Sequence, residues 1–267
     1  MYLSRTLSLV AIAAASCVSL VAQQPQSGFH TVACIKVRPD KGADFRKFAA
    51  EDLHKFAQAR ADSGAVSIWY LLHTVYPAGK SAECDYLSVT MYPGTPPEPM
   101  DMDGLAAVLK KAGIASSAQE FVDRRNSLTE LVSSNLFQNQ FFVGGAKKGD
   151  YFMVNYMKVA NVPDWLAYEK KVWQPIAESL VKDGLSSGWS VNVQLLPGGT
   201  DMKFQGVTVD VYPTWDSVFK GQSQIGEHFK KAHPDMEIGT TLENFEKLRT
   251  IESTDLYFLQ DMVVPAK

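Results

Sequence analysis

His73 and Asp210 are the side chains of this sequence best suited to moving a proton. His73 follows Trp69 by four residues, so in an extended strand both project from one face. An imidazole there can serve as a general base near neutral pH or ligate haem iron. An indole beside it offers a flat apolar wall and one N–H donor, and Trp189 offers the same further along the chain. Asp210 interrupts Val207, Val209 and Val211 from the opposite face of its strand, where Thr208 and Tyr212 accompany it. A buried, unpaired carboxylate costs several kcal/mol, so Asp210 must be partnered, face water or line a cavity. Ser88, Thr90 and Tyr92 form a comparable hydroxyl strip earlier, and Asn155 can extend the later one. Arg125 and Arg249 fall at matching places, in the helix before the last strand of each half of the chain, and are candidates to clamp a carboxylate. Each of these residues also has a structural reading: the indoles as core, the hydroxyl strips as hydrogen-bonded core, the arginines as partners of nearby acids.

Two further histidines lie on helical runs. His54 falls in a helical run and is a candidate haem ligand, while His228 sits beside Lys230 and Lys231 on a solvated basic face. The cysteines do not form a CxxC pair or a Cys/His cluster, so no metal site is expected. Neither is a resident cofactor, the haem reading apart.

The elements that position these residues come twice. At a shift of 120 residues, Asp44–Pro93 aligns with Asp164–Pro213 without a gap. Matches include Ala57/Ala177, Gly64/Gly184, Trp69/Trp189, Pro77/Pro197, Gly79/Gly199 and Tyr92/Tyr212. Upstream, Lys36-Val37 meets Lys158-Val159 after a two-residue adjustment. Each copy begins with a short β-rich run, 31–37 and 151–159. A helical pattern follows, 43–62 and 163–183, in which Phe45, Phe48, Ala49, Leu53 and Phe56 recur at helical spacing. Asn161 suits an N-cap, with Pro163 in the first turn. Gly64 and Gly184 suit a left-handed helix end. Two strands come next, 66–75 with 84–92 and 187–196 with 204–212. Helices over 102–111, 118–132, 215–231 and 242–251 follow, the second helix of each copy's pair preceding a closing strand at 137–143 or 256–264. Pro175, opposite Lys55, removes a helix hydrogen bond and predicts a kink that would open space beneath that helix.

The order β-α-β-β-α-β is the split βαβ, ferredoxin-like unit. Its sheet leaves one face bare, and a second copy can cover it. The chain thus resembles the dimeric α+β barrel superfamily over residues 29–264, with both halves of the barrel on one polypeptide. That superfamily includes antibiotic-biosynthesis-type monooxygenases, NIPSNAP-like proteins and stress-responsive barrel proteins. The resemblance implies an α+β fold of two tandem repeats, 29–145 and 149–264. It also implies a small ligand between sheet and helices. Some members oxidise aromatic substrates without a cofactor, and some bind haem.

The first 22 residues read as a signal peptide: Arg5, an apolar run from Leu7 to Val21, then a polar break, with 23–28 as linker. Lipid attachment at Cys17 is the variant reading. An exported location permits a Cys34–Cys84 disulfide, with two buried thiols as the alternative. The net charge of −3 gives no basis for nucleic-acid binding, and no later run is long enough to span a bilayer. Three functions follow: binding of a small apolar or aromatic ligand without catalysis, a cofactor-independent monooxygenase-like enzyme using His73 or Asp210, and haem binding. The expected assembly is a monomer with an internal pseudo-dimer, a further oligomer staying open. Mismatches between the copies (His73/Val193, His54/Gln174, Asp210/Thr90, Pro175/Lys55) predict one dominant pocket in one half.

Overall fold

The computed structural model describes residues 28–266. The segments read as signal peptide and linker, Cys17 among them, fall outside the described residues save Gly28. Eight strands close into one antiparallel barrel: β1 (Phe29–Val37), β2 (Ile68–Tyr76), β3 (Tyr86–Met91), β4 (Thr129–Gly144), β5 (Tyr151–Val159), β6 (Gly188–Leu196), β7 (Gly206–Tyr212) and β8 (Arg249–Val263). Their order around the barrel is β1-β3-β2-β8-β5-β7-β6-β4. The N-terminal four therefore run β4-β1-β3-β2 and the C-terminal four β8-β5-β7-β6. The two sheets do more than face each other, since β2 pairs with β8 and β4 with β6 to close the ring. Closure leaves no free strand edge.

Helices coat the outside. In the N-terminal half these are α1 (Gly42–Phe48), α2 (His54–Asp62), α3 (Met102–Lys111) and α4 (Ala118–Leu128). In the C-terminal half they are α5 (Val162–Tyr168), α6 (Gln174–Lys182), α7 (Trp215–Ala232) and α8 (Ile238–Leu248). Local chemistry sets their ends. Asn161 accepts from the Asp164 amide at 3.0 Å, and Ser117 with Glu120 makes a reciprocal cap on α4. Gly64 and Gly184 take φ of 77° and 72°, the left-handed helix ends that the sequence predicts.

Strand alternation divides the core into layers. Ile68, Tyr70 and Leu72 face the lumen, while Trp69 and Leu71 face the helices. In the C-terminal half Val207 and Val211 face the lumen, and Trp189 and Val191 face the helices with Trp165 and Met157.

Three expectations are corrected. The helices expected over 118–132 and 242–251 stop at Leu128 and Leu248, and β4 and β8 begin at once, far earlier than 137 and 256. Arg249 therefore opens β8 and does not lie in a helix. The opening residues of these strands are mostly exposed, the apolar Leu131, Val132 and Ile251 included, so no buried apolar alternation marks them; pairing with β1 and β5 holds them. The interruption expected at Pro175 occurs as a π-helical turn, Glu169–Trp173, just before α6. The same turn occurs at Ala49–Leu53, where Lys55 replaces the proline. Proline is therefore accommodated by the π turn and does not cause it.

Candidate functional site

In the N-terminal half a cavity of about 260 Å³ lies between the helices and the outer face of β1, β3, β2 and β4. Phe45, Leu53, Phe56 and Trp69 form its apolar walls. Ser88, Thr90, Thr129 and Ser134 bring hydroxyls from the strands, and Arg60 and Arg125 bring positive charge from the helices. The Trp69 indole donates to Ser88 Oγ at 2.9 Å, which fixes the ring and leaves its face as wall. Arg60 stacks over Phe56 at 5.7 Å, and its buried Nε has no hydrogen-bond partner among the described residues. Such an unmatched donor costs about 1–3 kcal/mol. Arg125 is exposed and donates to Asn126 Oδ1.

The corresponding space in the C-terminal half is occupied by side chains. Glu169, buried, accepts from the Trp165 indole at 2.8 Å, and Arg249 Nε lies 3.4 Å from the same oxygen. Burial pushes the Glu169 carboxyl up to about 7, against the pull of Arg249 and Trp165. Asp210, partly accessible, is likewise raised to about 7 by burial, against hydrogen bonds from Asn155 and Trp173 and the charge of Arg249. Asn155 donates to Asp210 Oδ2 at 3.3 Å and to Thr208 at 3.2 Å, and accepts from Thr254 at 2.8 Å. The strip around Asp210 is thus a connected polar network with two carboxyl groups that titrate near neutrality.

The sequence candidates separate accordingly. Trp69 and Arg125 meet in the N-terminal cavity, while Asp210, Asn155 and Arg249 meet in the C-terminal network. His73 is exposed on the outer face of β2, its ring 5.0 Å from Tyr86. Burial depresses its pKa, Asp85 raises it and Arg46 lowers it. His73 is absent from the cavity that Trp69 lines, and β2 stands three strands from β7, so His73 and Asp210 share no site. Trp189 is packed among Trp165, Ala177 and Val191 with its indole N–H unpartnered among the described residues. Tyr92 and Tyr212 are buried; their hydroxyls meet Thr31 at 3.2 Å and Gln222 at 2.7 Å. Arg125 and Arg249 do not occupy matching places: β4 starts on Thr129 opposite Val37, as β8 starts on Arg249 opposite Val159. For haem, His54 is a poor fit. Its Nδ1 is 2.8 Å from Asp261, and it lines none of the cavities described here.

Sequence reasoning missed Arg60, Glu169, Trp173 and His30. Comparison of the copies holds the signal for three of them: Glu169 stands against Ala49, Trp173 against Leu53, and His30 against Phe152.

No protein-family model matches the chain, and no curated protein matches it in sequence. Solved structures do match in shape. One is a putative monooxygenase from Fusobacterium nucleatum subsp. nucleatum, 10% identical over 91% of this chain and 96% of its own, with a TM-score of 0.54. Another is an anthrone oxidase-like protein, 11% identical over 91% and 95% of the two chains, with a TM-score of 0.52. At these identities the likeness shows the fold: a mixed α+β closed barrel of the ferredoxin-like dimeric type.

Proposed function

We propose that this protein binds a small aromatic or apolar molecule bearing an acidic group, in the N-terminal helix–sheet cavity, without chemistry upon it. The observation that carries this reading is the unpartnered Nε of Arg60 beside a cavity walled by Phe45, Leu53, Phe56 and Trp69. Apolar walls with a few convergent polar groups are what a small-molecule site requires. Among the described residues Arg60 and Arg125 are the titratable groups that line it, and neither is a base for proton abstraction. A second reading, monooxygenase-like chemistry on an aromatic substrate, is favoured by the two carboxyl groups near pKa 7 and by the names of the structural neighbours. It requires a substrate to enter a space that Trp165 and Glu169 fill.

Two supporting expectations belong with this reading. The halves, 29–145 and 149–264, are tandem copies, supported by the gap-free sequence match and the like strand order of each half. The protein is exported, supported by the leader pattern and the Cys34–Cys84 disulfide.

The test is titration with 2-naphthoate, followed by tryptophan fluorescence. Saturable binding is expected, weakened about 10-fold or more in Arg60→Met, as loss of a charge-assisted hydrogen bond implies. No binding, or binding indifferent to Arg60, overturns the proposal. Oxygen uptake with an aromatic substrate, abolished in Asp210→Asn, establishes the second reading.

A further inference from the structure

The barrel lumen holds a separate cavity of about 140 Å³, at the end where β1, β2 and β6 begin and β4 stops. Its origin lies in unequal strands. The inward positions of β2 are Ile68, Tyr70 and Leu72, whereas the matching positions of β6 are Gly188, Ser190 and Asn192. Bulk on one side and small side chains on the other leave a void between them.

Two side chains facing this void carry polar atoms with no hydrogen-bond partner among the described residues. His30 is 7% exposed, lines the cavity and makes no side-chain hydrogen bond among the described residues. Its ring lies flat against Phe137 at 5.3 Å, which fixes its plane. Its counterpart in the other half is Phe152, so packing alone does not demand an imidazole here. The second group is Asn139: its Nδ2 donates to Asn192 at 3.1 Å, while its buried Oδ1 accepts nothing among the described residues. Not one Lys, Arg, Asp or Glu lines the cavity, and burial drives the His30 pKa down to about 4. The site is therefore neutral at physiological pH, and a charged guest would enter without a counter-ion.

We propose that the lumen is a second binding site, for a neutral single-ring molecule with a hydroxyl group, the chemical class of phenol. The void matches the size of a benzene-binding cavity of about 150 Å³. The ring meets apolar walls, and the hydroxyl donates to Asn139 Oδ1 and accepts from the imidazole N–H, or donates to the bare imidazole nitrogen. This site is distinct from the Arg60 cavity, which selects for an anion.

The experiment is calorimetric titration of the full chain with phenol and with benzoate, alongside imidazole ¹⁵N NMR during the phenol titration. Saturable phenol binding is expected, with the His30 ring nitrogens shifting in step. His30→Phe, which installs the residue of the other half, should weaken phenol about 10-fold or more. His30→Gln should restore part of the loss, and Arg60→Met should change nothing. Absence of phenol binding, His30 nitrogens that stay fixed at saturation, or tighter sensitivity to Arg60 than to His30 each overturn the proposal. Failure of naphthoate to bind would remove the Arg60 site and leave these outcomes unaffected.

Discussion

The two helix–sheet spaces are built on the same strand register, and they differ in what fills them. Ala33, Leu53, Thr90 and Thr129 line the hollow N-terminal space, and Ala49 lies in the core cluster that includes Phe45 and Trp69. At the matching positions Asn155, Glu169, Trp173, Asp210 and Arg249 close the C-terminal one. Bulk is also exchanged between facing positions. Phe45 packs on Tyr86 in one half; Trp165 packs on Gly206 in the other, where an added Cβ would lie 2.7 Å from the indole. One scaffold therefore supports a cavity or a polar plug according to five side chains. The plug is a structural counterweight: it buries charge at a desolvation cost that good pairing must offset.

The covalent contrast should give the largest effect. Cys34 and Cys84 are bonded across 50 residues, where the other half packs Tyr156 against Phe204 with ring centroids 4.7 Å apart. Closing a loop of that length contributes about 4 kcal/mol in the chain-entropy account. Cys34→Ser with Cys84→Ser should lower urea stability by that order, and Phe204→Ala by about 2 kcal/mol for a part-buried ring. Equal losses would mean that the bond adds nothing beyond packing.

The polar plug comes next. Arg249→Leu strands Glu169 without its cation, and should cost about 3 kcal/mol at pH 8. At pH 5.5 the Glu169 carboxyl is protonated and the cost should shrink. A pH-independent cost would show that Arg249 matters only as packing over Phe245, 4.9 Å from its guanidinium.

Exchange of the π-turn residues sharpens the comparison further. Trp173→Leu should open the C-terminal space and cost about 2 kcal/mol. Leu53→Trp enters an existing void, so it should cost less than about 1 kcal/mol while abolishing naphthoate binding. If Leu53→Trp destabilises more than Trp173→Leu, the N-terminal space is not available volume.

Much of this architecture was legible because it is written in alternation and turn residues. Gly64, Gly184, Asn161 and the runs at 151–159 and 207–211 announce their own conformations. The starts of β4 and β8 were not legible, since Ser133, Ser134, Ser253 and Thr254 show no apolar period and are strands only by pairing. Of the site, Trp69 and Asp210 stood out by residue type. Arg60 and Glu169 did not, because an Arg or Glu on a helix reads as solvated until the register shows which face is turned inward. His30 stands upstream of the gap-free match, where its pairing with Phe152 depends on a two-residue adjustment.

The smallest expected effect concerns Asp210, whose counterpart in the other half is Thr90. Its folded-state pKa lies near 7, above the usual carboxylate value. Between about pH 4 and 7 the folded protein therefore holds a proton that the unfolded chain releases. Stability from this group is complete below pH 4, falls as pH rises toward 7 and is flat above. Asp210→Asn removes the titration but keeps an amide able to bond Asn155 and Trp173. The variant should gain on the wild type as pH rises from 5 to 8, by about 1 kcal/mol once partial solvent access is allowed for. Glu169 contributes the same sign, although the Asp210 charge is one cause of its raised pKa, so Asp210→Asn should reduce the slope without abolishing it. A slope left intact would place Asp210 in water, and the two halves would then differ in one buried acid rather than two.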